Sequence, residues 1–74
     1  VEIKSPTDSY ILMREKAQYY LENGAGLVWL IYPEKKFVEV YRKDADIDFL
    51  TVEDTLSGYD ILPDFTLAVG DIFP

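Results

Sequence analysis

The stretch GLVWLIYP, residues 26–33, is apolar throughout and is closed by glycine at one end and proline at the other. A continuous apolar run of this length, bounded by breakers, predicts a strand covered on both faces. A strand wetted on one side would alternate instead. The fold therefore depends on what precedes and follows this strand.

Upstream, residues 8–23 carry a helical pattern. Tyr10, Met13, Ala17, Tyr20 and Leu21 follow the three-to-four spacing of one buried stripe, with Arg14, Glu15, Gln18 and Glu22 on the opposite side. Pro6 blocks extension backwards, Thr7 and Asp8 are the expected N-caps, and Asn23-Gly24 supplies a left-handed stop. Residues 1–5, VEIKS, read as a strand. Alternation puts Glu2 and Lys4 on one face and Val1 and Ile3 on the other. The two charged side chains leave the backbone roughly 6–7 Å apart. Strand, helix and buried strand make a βαβ unit, so residues 1–5 should lie beside and parallel to residues 27–32 with a right-handed crossover.

Downstream, PEKK is a turn between strand-like runs. FVEVYRK alternates, with Val38 and Val40 on one face and Phe37, Glu39 and Tyr41 on the other. After the turn DADI, the run IDFLTV sets Ile47 and Phe49 against Asp48 and Leu50. Residues 27–52 thus predict a three-stranded antiparallel meander grown off the parallel pair. The tail, rich in Gly, Pro and Asp, reads as loop with short extended pieces near 61–62 and 65–69. The fold class is α/β (α+β), a mixed sheet with a strand–helix–strand core followed by an antiparallel meander.

Composition narrows the chemistry. The 74 residues suffice for one small domain, and 49% hydrophobic with 15% aromatic content is enough for a packed core. There is no cysteine and no histidine. Disulfides, thiolate and imidazole metal sites, and Ser–His or Cys–His catalysis are excluded. Any chemistry falls to carboxylates and lysines, which favour a hard cation such as magnesium. The net charge of −7 opposes general nucleic-acid binding and serves solubility. No apolar run is long enough to span a membrane. A small cysteine-free domain fits a cytoplasmic setting.

Glu2 and Lys4 alone read as a solvated strand face with a loose ion pair. Their context is more specific. VEIKSPTDS, KAQYYLENGAGLVWLIYP, VEVY and LPDFTLAVGDIF occur in order along nearly the whole chain. Together they resemble the restriction-endonuclease-like proteins of the PD-(D/E)xK nuclease superfamily, in a large bacterial group. That group's pattern runs Glu-Val-x-Ser-Pro-Ser-Asp, a helix with Lys and Tyr, Gly-Val-x-x-Tyr-Trp-x-Val-Asp-Pro, a Val-x-Val-Tyr strand and a late Leu-Pro-Gly-Phe. The resemblance implies phosphodiester hydrolysis by water activated at magnesium, or manganese, held by carboxylates. Carried over residue by residue, Glu2 is a metal ligand with the Ile3 carbonyl beside it, and Lys4 orients or deprotonates the attacking water and offsets phosphate charge. Many relatives use a helix lysine instead, which matches Lys16; its other reading is a snorkelling surface lysine.

The family's metal-binding Asp lies upstream of the Glu-x-Lys strand, and Asp8 is a poor substitute. The chain is therefore expected to be the C-terminal portion of a single nuclease-like domain, truncated at the N-terminus and inactive alone. The intact protein is expected to act on DNA, and the open sheet edge to form a homodimer. The rival reading is a non-catalytic, acidic, self-associating interaction module. Trp29, Tyr19, Tyr32 and Tyr41 are assigned to packing. Asp44, Asp46 and Asp48 lack the glycine and closing glutamate of a calcium loop.

Overall fold

A computed structural model describes residues 1–73. The buried run forms β2 (Leu27–Tyr32), and its neighbours fall as the pattern requires. Strand β1 (Glu2–Ile3) pairs with it in parallel, Glu2 opposite Leu30 and Ile3 opposite Ile31. The Lys4 amide extends this pairing by donating to the Ile31 carbonyl at 2.8 Å. Helix α1 (Tyr10–Glu22) makes the crossover. Strands β3 (Phe37–Arg42) and β4 (Asp48–Thr51) add the antiparallel meander, giving a four-stranded sheet in the order β1-β2-β3-β4.

The helix stripe buries Met13, Ala17 and Leu21 against Val28, Leu30, Tyr32 and Tyr41 on one face of the sheet. Alternation along β2 sends Ile31 to the other face, where it meets Val38, Val40, Leu56 and Val69. Fully burying a Leu or Ile side chain contributes about 1.5–3 kcal/mol. Two covered faces are why β2 carries no polar residue. Along one end of the helix face, Tyr10, Tyr32, Phe37 and Phe49 stack in sequence, with centroids 5.2, 4.3 and 4.6 Å apart.

Two expectations need correction. Ser9, rather than Thr7 or Asp8, caps α1, its hydroxyl accepting from the Leu12 amide at 3.3 Å. Asp8 instead accepts the Ser5 amide at 2.8 Å and donates its own amide to the Ser5 carbonyl, closing the turn before the helix. A short polar side chain satisfies a turn as well as a cap, and Asp8 sits one residue too early for the latter. The stop at Gly24 is as expected, at φ +105°.

The extended pieces expected near 61–62 and 65–69 fall largely within one strand, and residues 55–58, expected as loop, form another. β5 (Thr55–Gly58) and β6 (Leu62–Ala68) form an antiparallel two-stranded sheet, followed by a 3-10 turn at Val69–Asp71. This hairpin covers the second face of β2. Its signal was hidden because Leu56 is the only large apolar residue of β5 and the register breaks between Ser57 and Gly58. Glycine is required there, since a Cβ at position 58 would lie 2.3 Å from the Leu62 carbonyl oxygen. Pro63 is tolerated because a two-stranded sheet consists of edge strands.

Candidate active site

Glu2 lies on the edge strand β1, and its side chain points to the helix face. Lys16 and Tyr20 are one turn apart on α1 and so share a helix face. The Lys16 ammonium stands 3.0 Å from Glu2 Oε1, and the Tyr20 hydroxyl donates to the same oxygen at 3.0 Å. Glu2 Oε2 has no partner among the described residues. The Lys16 hydrogen bond, then that of Tyr20, holds the Glu2 carboxyl below its ordinary value. Glu2 in turn raises the Lys16 ammonium. Both side chains remain open to water, at 31% and 53% exposure, so the pair contributes little to stability.

Lys4 shares the helix face, as alternation requires, but is held elsewhere. Its ammonium donates to the Ser5 carbonyl at 3.1 Å and lies 4.7 Å above the Tyr10 ring. The structure thus brings Lys16 onto Glu2 and draws Lys4 toward the start of the helix. Ile3 follows Glu2 on the strand. Both line an open cleft of about 270 Å³ together with Thr7, Asp8, Ser9 and Lys16. Asp8 is the cleft's other carboxylate, and its bond to the Ser5 amide holds it below its ordinary value.

A second acid cluster lies beneath α1. Glu39, only 6% exposed, takes both Arg14 nitrogens, Nε to Oε1 at 3.1 Å and Nη2 to Oε2 at 2.8 Å. The hydroxyls of Tyr32 and Tyr41 donate to Oε1 at 2.6 and 3.3 Å. Burial pushes Glu39 upward, but Arg14 and the two tyrosines outweigh it and leave the carboxyl below its ordinary value. The helical pattern sets Arg14 on the outer side of the helix, but its long stem carries the charge back to the sheet. The available signal was Glu39 itself, a charge on the face of an alternating strand that Phe37 and Tyr41 mark as buried.

Among the described residues, no three or more acidic, histidine or cysteine side chains converge to hold a metal. Glu2 nevertheless supplies a hard oxygen donor with one lone oxygen beside an open cleft. Magnesium sites commonly use only one or two carboxylates, with water and substrate phosphate completing the shell. The donor chemistry fits one carboxylate arm of such a site.

A strand–helix–strand crossover on a sheet extended by an antiparallel meander is the arrangement of a restriction-endonuclease-like α+β domain. The chain belongs to the Uma2 family, described as "Putative restriction endonuclease", whose model matches residues 1–70. Among solved structures it is similar to "a putative nuclease belonging to DUF820" from Anabaena variabilis ATCC 29413, with 25% identity and a TM-score of 0.86. The match covers 97% of this chain and 41% of that one. No curated protein matches the chain. No helix among the described residues is long and apolar enough to cross a membrane.

Proposed function

We propose that this chain is the Glu2-bearing portion of a nuclease-like domain whose intact protein hydrolyses phosphodiester bonds in DNA with magnesium or manganese. The observation that carries this reading is the Glu2 carboxylate, held through Oε1 by Lys16 and Tyr20, with Oε2 making no hydrogen bond among the described residues. Family membership and the similar nuclease structure support it.

Glu2 and the Ile3 carbonyl would hold the cation, which when bound supplies Lewis acidity and a more acidic water. Lys16, with its affinity for protons raised by Glu2, is an ammonium at neutral pH. Placed 3.0 Å from Glu2 Oε1, it is in position to donate toward the phosphate and to offset the charge that develops there. Lys4, anchored over Tyr10, is the weaker candidate for contact with the reacting water. The remaining carboxylate comes from elsewhere in the intact protein, so the 74-residue chain alone does not cleave. The intact protein works in a cytoplasmic, bacterial setting; in the chain alone, the β1 edge that upstream elements would otherwise cover pairs with a second copy to form a homodimer, because an unpaired strand edge templates pairing.

Glu2→Gln in the intact protein tests this reading, since it removes a charge and keeps the shape. Magnesium-dependent DNA cleavage should fall at least about a hundredfold while the fold persists. Undiminished cleavage would show Glu2 to be a surface charge. Lys16→Ala and Lys4→Ala, made separately, should reduce cleavage strongly and weakly, in that order.

A further inference from the structure

We propose that Tyr20 is a positioning residue for Glu2, an assignment that rests on the nuclease reading above and names a part it does not supply. Glu2 sits on a two-residue edge strand with a flexible side chain, and is only partly covered. Three rotatable bonds and an exposed edge do not hold a carboxylate in one direction. Lys16 does not hold it alone either, being itself a long, 53% exposed side chain free to swing to water.

Tyr20 differs in kind. It packs against the buried helix-side core with the ring partly covered, so its hydroxyl is fixed by the core rather than by solvent. That hydroxyl is 3.0 Å from Glu2 Oε1. The Lys16 ammonium reaches the same oxygen and lies 5.9 Å from the centre of the Tyr20 ring. Lysine and tyrosine therefore converge on one oxygen and leave its twin free. A carboxylate pinned in this way presents a single oxygen to an incoming hard cation in a set direction, which outer partners of metal-binding carboxylates commonly achieve. Tyr20 touches neither substrate nor water in this scheme and acts only through Glu2.

Tyr20→Phe in the intact protein removes one oxygen and keeps the packed ring. Three readouts are measured: melting temperature, Mn2+ affinity by electron paramagnetic resonance, and steady-state cleavage. A hydrogen bond to a charged group of this kind is worth roughly a tenfold effect. The expected result is an unchanged melting temperature, Mn2+ affinity weakened about tenfold, and kcat lowered about tenfold with KM for DNA unchanged. Wild-type Mn2+ affinity and kcat in the variant, each within about twofold, overturn the proposal, since a packing role alone predicts that result. An unchanged kcat with a raised KM also overturns it, because Tyr20 would then be binding DNA. Should wild type bind Mn2+ through Glu2 yet cleave no nucleic acid, the nuclease reading fails. A Tyr20→Phe loss of Mn2+ affinity in that protein still upholds the positioning role.

Discussion

Glu2 and Glu39 are built from the same parts and finished differently. Each is a carboxylate on a strand, facing α1, and each meets one cation and at least one tyrosine hydroxyl. At Glu39 the cation is an arginine, whose fork occupies both oxygens, and two tyrosines complete the shell. At Glu2 the cation is a lysine, a point charge on a flexible stem, and it shares one oxygen with a single tyrosine. The first cluster buries its carboxylate and fills both oxygens, with only the Arg14 side chain half-open to water. The second is half-open to water and leaves one oxygen over. A carboxylate with both oxygens taken has no room for a further ligand, whereas one with an oxygen open to water can accept one.

The sharpest way to break this contrast is to remove each acid in turn. Glu39→Ala should destabilise the chain by about 3 kcal/mol in urea unfolding, because it strands Arg14 and two buried hydroxyls. Glu2→Gln should leave the urea midpoint near that of the wild type and act on cleavage instead. A soft Glu39 and a rigid Glu2 in the same experiment would reverse the assignment.

The cations give the next test. Arg14→Met leaves Glu39 buried without its counter-charge and should cost about 2–3 kcal/mol. Lys16→Met should leave the melting temperature essentially unmoved while lowering cleavage.

The pH dependence should separate the clusters more gently. Glu39 titrates below its ordinary value of 4.5 when folded, so the stability it contributes is present above that value. That stability is lost as pH falls through the folded value. Glu39→Gln should therefore flatten the acid limb of a urea-midpoint profile, whereas Glu2→Gln should change it little. At the alkaline end, burial, then the Glu39 charge, pushes Tyr41 up to about 12, and burial raises Tyr32 as well. Both are held neutral in the fold, so their contribution is present below the unfolded value of 10.0. It declines as pH rises through their folded values. Tyr41→Phe should reduce that decline.

The smallest expected effect belongs to Lys4→Ala, which removes a cation–π contact with Tyr10 and a bond to the Ser5 carbonyl. It should cost less than about 1 kcal/mol.

Much of this was legible in the amino-acid order. The unbroken run in β2 demanded cover on both faces, the helix stripe supplied one cover, and the parallel pairing of β1 followed from handedness. The second cover was not legible, because β5 shows one large apolar residue and an irregular register where a pattern reader needs alternation. At the site, Lys16 and Tyr20 were visible as neighbours on a helix wheel. That the tyrosine hydroxyl reaches Glu2 was not, since helix spacing fixes a face and not how far a side chain extends across to a strand. Arg14 was misplaced for the same reason.

The hairpin also gives the molecule an optical gauge of its own opening. Trp29 is the only tryptophan, and its ring lies 5.2 Å from Phe65 of β6, between the sheet and its second cover. α1 lies on the opposite face. Fluorescence at this position therefore reports whether the hairpin is docked, while far-ultraviolet dichroism is dominated by the helix. If the two faces come apart as one unit, both signals move together along a denaturation curve. If the hairpin peels first, the indole emission shifts to the red while the helical signal is still intact.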